Sequence, residues 1–220
     1  MGFGYPVFLE LRGRRAIVIG ETAVREGKVD GLVAAGASDV VVIAEGPEAH
    51  LASIEARLGS SVVVERRRWR ASDLDGTFLC VASSNDPAER DAIAFQARSR
   101  AVLVNVMDDV PNCDWSAPAI VRRDELVLAI STGGASPALA SKLRERLEAE
   151  FGEQWGDVLE VVRAVRLGTL DALPDVDERA RRWRAALDVD EAAALVADGR
   201  SHELRERLTE RLLRPQRIRA

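Results

Sequence analysis

Arg15-Ala-Ile-Val-Ile-Gly20, a helical stretch from about Ala23 to Ala35 that stops at Gly36, and then Val40-Val-Val-Ile-Ala44 together decide the fold of this chain. Each apolar run is too short for a buried helix and is bounded by turn residues, which reads as a strand buried on both faces. Further strands are expected at Val62 to Arg66, Phe78 to Ala82 and Ala101 to Val106, with a helix from about Pro87 to Ser99 before the last. Strands alternating with helices imply a parallel sheet with right-handed crossovers.

After Asp114 the pattern changes. Ala119 to Arg122 and Glu125 to Ile130 read as two strands joined at Arg123-Asp124. A helix then starts at Pro137 with Ser136 as its N-cap, and carries Leu139, Leu143, Leu147 and Phe151 at four-residue spacing. That stripe is suited to a partner chain. Beyond it the sequence is helical: Trp155, Val158, Val162 and Val165 share one face, a helix begins near Asp175 or Asp177, and Glu191 to Leu213 supplies one or two more around Gly199. From Ser201 to Ala220 six Arg face three Glu, which reads as a solvated helix surface.

Composition bounds the function. The chain has 220 residues, 47% of them apolar, enough for a sizeable core. A net charge of -5 offers no basic field for nucleic acid. Two cysteines, Cys80 in an apolar run and Cys113 in a loop, suggest a reducing compartment rather than a disulfide framework. No run approaches membrane-spanning length and no basic segment precedes a signal core, so a cytoplasmic protein is expected, with no membrane and no nucleic acid among its partners. His50 and His202 lie far from the motifs and the cysteines lack Cys-x-x-Cys spacing, so no metal site is expected. Glu65-Arg-Arg-Arg-Trp-Arg70 reads as an edge strand entering a loop, since one basic cluster with one aromatic makes no nucleic-acid groove.

Chemistry concentrates between Leu103 and Pro137. A strand delivers Asn105-Val-Met-Asp108 to the carboxyl end of the sheet, and Ser131-Thr-Gly-Gly-Ala-Ser-Pro137 feeds a helix start. A carboxylate and a row of free amide donors are therefore expected to face one crevice, with Ser131, Thr132, Gly133 and Gly134 able to bind an anion. The glycine turn after the first strand is a damaged phosphate cradle: Gly20 fills the first position of the dinucleotide fingerprint, but Thr22 and Arg25 stand at the second and third, and Glu21 adds a negative charge. Glu45, 25 positions after Gly20, is placed to accept from an adenosine ribose hydroxyl.

The order of these motifs resembles the precorrin-2 dehydrogenase and sirohydrochlorin ferrochelatase family, the dehydrogenase and chelatase part of siroheme synthase. Tyr5-Pro-Val-Phe-Leu-Glu-Leu11, Ala16-Ile-Val-Ile-Gly20, Lys28, Ala34-Ala-Gly-Ala37, Asp73-Leu74, Val81-Ala-Ser-Ser84, Asn105-Val-Met-Asp108, Cys113-Asp-Trp115, Pro118-Ala-Ile-Val-Arg122 and Ile130 to Ala140 carry it, over about residues 3 to 165. The resemblance implies an α/β fold: a Rossmann-like NAD-binding domain at 1–112, a small α+β dimerisation segment at 113–150 and a helical C-terminal domain at 151–220. It implies a homodimer that oxidises precorrin-2 to sirohydrochlorin with NAD, with ferrous iron as a substrate where the chain also inserts metal. The family's essential aspartate falls on Asp108. Its nucleotide contacts fall near Ala23 and Val24, near Glu45 and Gly46, and near Ser83 and Ser84; Gly20, Thr22 and Asn105 are expected to join them in holding the cofactor, and Thr132 takes the family's hydroxyl position. With no methyltransferase segment after residue 220, uroporphyrinogen methylation is expected from a separate chain.

Two alternatives stay open on the residues alone. The degenerate Gly20-Glu21-Thr22 turn would suit a chelatase or tetrapyrrole carrier that has lost NAD, and a nonenzymatic nucleotide-sensing dimer would keep the fold without the chemistry.

Overall fold

The structure, a computed structural model, describes residues 5–25 and 27–214. Arg217 and Arg219 of the expected basic tail, and the start of the matched region at residue 3, lie outside the described residues. The chain divides into two compact units, the first ending at Ala117 and the second beginning at Pro118.

The first unit is a five-stranded parallel sheet of order β3-β2-β1-β4-β5, with β1 at Arg15–Ile19, β2 at Asp39–Ile43, β3 at Val62–Glu65, β4 at Leu79–Ala82 and β5 at Leu103–Val106. Because side chains alternate across a strand, the apolar runs feed two cores at once. Ala16, Val18, Val40, Val42, Leu79 and Val81 point to one face, where α1 (Glu21–Arg25), α2 (Lys28–Ala34) and α3 (Glu48–Leu58) bring Ala23, Val24, Val29, Leu32, Leu51 and Ile54. Ile17, Ile19, Val41, Ile43, Cys80 and Val104 point to the other, against Ile93, Ala94 and Ala97 of α4 (Pro87–Arg98). Cys80 is fully enclosed, and burial pushes its thiol pKa up to about 12.

Two elements depart from the sequence reading. The helix expected over 23–35 is two helices, because Gly27 takes a left-handed conformation (φ 71°) and caps a new start at Lys28. Helix α3 has no counterpart in that reading, since Leu51, Ile54 and Leu58 among polar neighbours give only a faint helical stripe.

The second unit opens with a hairpin of β6 (Ala119–Arg123) and β7 (Leu126–Ile130), turned at Asp124 with φ 51°. Helix α5 (Pro137–Glu150) is capped by Ser136, whose hydroxyl accepts from the Leu139 amide at 3.1 Å. Four more helices follow: α6 (Gln154–Gly168), α7 (Val176–Ala186), α8 (Val189–Ala197) and α9 (Ser201–Leu213). Val158, Val161 and Val165 of α6 are buried with Leu195, Leu204, Leu208 and Leu212. Trp155 and Val162 sit at the margin of that core, so the buried stripe of α6 runs through Val161 rather than through Val162.

Candidate functional site: a nucleotide cleft and a carboxylate at the carboxyl edge of the sheet

From β1 the chain winds outward to β2 and β3 on one side, then crosses back to β4 and β5 on the other. The carboxyl ends of β1 and β4 are therefore a topological switch point, where open α/β sheets leave a crevice. A cleft of about 600 Å³ opens there, between Gly20 and Glu21 after β1, Glu45 after β2, the Arg67 to Trp69 loop after β3, and Ser83 and Ser84 after β4. Its floor is tight. Gly20 has φ 92°, and a Cβ there would lie 2.1 Å from the Ser83 carbonyl oxygen, so both the conformation and the close approach demand glycine.

The turn differs from the fingerprint in how its donors are used. The Ala23 amide donates to the Ser83 hydroxyl at 3.0 Å, while the Ala23 and Val24 side chains are buried in the core. These two residues therefore present no side chain to the cleft, and the Val24 amide likewise donates internally, to the Gly20 carbonyl oxygen at 3.4 Å. Thr22 is exposed, and Glu21 lies along Gly46, its Cγ 3.2 Å from where a Cβ of that glycine would be. The Glu21 carboxylate is thereby settled against the β2 side of the turn.

The arginine run is the feature the sequence reading underused. β3 is an edge strand as expected, but the loop after it forms a wall of the cleft. Arg66 donates to Glu48 at 2.7 Å and to Glu55. Arg67 grips Asp73 with two bonds of 2.8 Å and also reaches Glu65, which holds the Asp73 carboxyl below the usual range, helped by the Arg70 amide. Arg68 reaches Glu45 at 3.2 Å. The Trp69 indole donates to Glu89 at 2.9 Å, and the Ser84 hydroxyl donates to the same carboxylate, tying the wall to the end of β4 through α4. A third strand ending in an arginine triplet at a sheet's carboxyl edge was the available signal.

Asp108 follows β5 by two residues, is exposed, and adopts the left-handed region with φ 59°. Its neighbour Asp109 is only 16% exposed and accepts from Arg90 at 2.8 Å and from Asn112 at 3.2 Å, which keeps its pKa below the ordinary carboxylate value. Arg90 also donates to the Ser84 carbonyl oxygen at 3.0 Å. Asp109 is thus a fixed anion of the framework. Asn105 spends its amide on the Trp115 carbonyl oxygen at 2.8 Å and the Cys113 sulfur at 3.5 Å, and neither it nor Asp108 lines the cleft. The Cys113 thiol donates to the Val106 carbonyl oxygen at 3.0 Å, and burial raises its pKa, so it packs rather than reacts.

The Ser131 to Gly134 turn belongs to the second unit, and of its four amides that of Gly133 is engaged within the loop. Gly133 donates to the Ser131 hydroxyl at 3.1 Å, Ala135 to the Thr132 carbonyl oxygen at 3.1 Å and Ser136 to the Thr132 hydroxyl at 3.2 Å, which itself donates to the Ser136 carbonyl oxygen at 3.1 Å. A short polar loop closes on itself because its hydroxyls reach the nearest amides first. Among the described residues no group of three or more His, Cys, Asp or Glu is placed to hold a metal ion, and no helix is long and apolar enough to cross a membrane.

Residues 7–119 match the family described as "Putative NAD(P)-binding", and residues 123–150 match "Sirohaem biosynthesis protein central". The siroheme synthase of Methylococcus capsulatus is 33% identical over 205 residues, 93% of this chain and 42% of that protein. Siroheme synthase 1 of Serratia proteamaculans is 34% identical over 209 residues, 94% of this chain and 43% of that protein. The chain thus spans about two fifths of the length of these curated relatives. The solved structure of "SirC, precorrin-2 dehydrogenase" superposes with a TM-score of 0.67 at 25% identity, covering 94% of this chain and 100% of that one. With its nucleotide-binding and central segments matched in order along one chain, this protein belongs to the precorrin-2 dehydrogenase family of NAD(P)-binding proteins, the family of the dehydrogenase and chelatase part of siroheme synthase.

Proposed function

We propose that this chain oxidises precorrin-2 to sirohydrochlorin with NAD, in tetrapyrrole biosynthesis leading to siroheme. The observation that carries the reading is the cleft at the switch point, with Asp108 exposed on the same carboxyl edge of the sheet. The cleft suits a dinucleotide: Gly20 keeps the turn close, the Ser83 and Ser84 loop forms the opposite lip, and Glu45 stands at the end of β2 where a ribose diol is recognised. Thr22, the residue most at odds with the fingerprint, is exposed rather than packed under the turn.

NAD, when bound, supplies the acceptor for one hydride. The oxidation removes two hydrogens, so a proton must leave the macrocycle as the second, and an exposed carboxylate is the group this chain offers to take it. Asp108 fits that task because Arg90 and Asn112 engage Asp109 instead, leaving Asp108 to the substrate. Its left-handed backbone aims a short side chain from a turn that a larger residue would strain. Ser131, Thr132, Gly133 and Gly134 are proposed to meet substrate carboxylates, exchanging internal bonds for external ones. Ferrous iron is a second substrate if the chain also inserts metal, and the same carboxylate would relieve the macrocycle nitrogens of their protons.

The test is anaerobic incubation of the purified chain with precorrin-2 and NAD. One NADH formed per sirohydrochlorin supports the reading, and no turnover at saturating NAD removes it. A chain that shows no NAD binding by calorimetry yet inserts iron into sirohydrochlorin would belong to the chelatase alternative.

A further inference from the structure

We infer that the ion pair between Glu45 and Arg68 sets the choice between NAD and NADP, with Glu45 masking Arg68, which would otherwise bind a 2′-phosphate. The inference rests on the nucleotide reading of the cleft. Three consecutive arginines leave β3, and the first two are committed elsewhere: Arg66 to Glu48 and Glu55, Arg67 to Asp73 and Glu65. Arg68 has Glu45 as its carboxylate partner at 3.2 Å, and both side chains are open to solvent, 86% and 60% exposed. Glu45 follows β2 by two residues, the position from which an acidic side chain accepts from an adenosine ribose. The arginine that would recognise a phosphate on that ribose is therefore already beside it, neutralised by the acid.

The surrounding charge favours the same choice. Glu21, Glu45, Asp86 and Glu89 line the cleft against Arg67 and Arg68, and Arg67 is spent on Asp73. A 2′-phosphate entering beside Glu45 meets a carboxylate and an arginine that the carboxylate already occupies. Removing Glu45 takes away the repulsion and releases a guanidinium whose fork matches phosphate oxygens.

The experiment titrates NAD and NADP separately into the full chain by calorimetry, for the wild type, Glu45→Ser, Arg68→Ala and the double variant. The wild type is expected to bind NAD at least tenfold tighter than NADP. In Glu45→Ser, NADP is expected to tighten tenfold or more, and the double variant is expected to lose that gain. No gain in Glu45→Ser, or an equal gain with Arg68 removed, overturns the inference, while the nucleotide reading of the cleft is tested separately by NAD binding to the wild type. If the wild type binds neither nucleotide, the reading of the cleft falls and this inference with it. Both substituted side chains are exposed, so the fold does not depend on them.

Discussion

Asp108 and Asp109 are adjacent carboxylates with opposite employment, and the difference comes from what each touches. Asp109 is ion-paired to Arg90 and partly buried; Asp108 is exposed in the left-handed region with φ 59°. Asp124 takes the same conformation at the hairpin turn, so it is the unengaged carboxylate of Asp108, together with its place after β5, that supports the proposed role. Asp108→Asn keeps the local backbone preference and removes the charge, so turnover should drop by about 100-fold or more while NAD affinity holds, read by steady-state kinetics and calorimetry. Asp108→Val should cost roughly 1–2 kcal/mol of stability in a denaturant titration, whereas Asp108→Gly should cost none there and still be inactive. At Gly20 both space and conformation are closed to a side chain, so Gly20→Ala should destabilise by about 1–3 kcal/mol and abolish nucleotide binding.

At the level of elements, the loop after β3 is shaped by charge rather than by apolar packing alone. Arg67 bridges Glu65 and Asp73, and Trp69 is pinned by Glu89, so the wall of the cleft is fixed from both ends. This carries a pH dependence. The Asp73 and Asp109 carboxyls titrate below their ordinary range in the folded chain, held by Arg67 and Arg90. Between that lowered value and about 3.9 the unfolded state binds more protons, so the stabilisation is full above about pH 4 and is lost as pH falls through the folded pKa. Far-UV circular dichroism should show stability falling on acidification in that window, and the Asp73→Asn and Asp109→Asn double variant should flatten the slope. Helix α5 is the other informative element: it has a proper cap and no buried residue, with Leu139 and Leu143 at 50% and 38% exposure.

For the whole molecule, that open face supports the proposal of a homodimer. Light scattering should give twice the chain mass for the wild type and a monomer for Leu139→Glu with Leu143→Glu, each variant retaining its helical content. The sequence by itself determined the sheet and its direction, because a strand buried on both faces must be a short apolar run, and Arg15 to Ile19, Asp39 to Ile43 and Leu79 to Ala82 are legible as such without knowing their neighbours. It also determined the Ser136 cap and the landing of Asp108 beyond β5, since capping and strand ends are local events. Only the tertiary structure decided which polar groups meet. Glu45 finds Arg68 across 23 positions and Ala23 finds Ser83 across 60, because the strand order β3-β2-β1-β4-β5 brings those loop ends to one edge. The break at Gly27, the presence of α3 and the internal hydrogen bonds of the Ser131 to Ser136 loop were equally beyond reach of the pattern. Apolar periodicity records burial one residue at a time, whereas a hydrogen bond or an ion pair is set by the nearest available partner, and that partner is known only once the chain is folded.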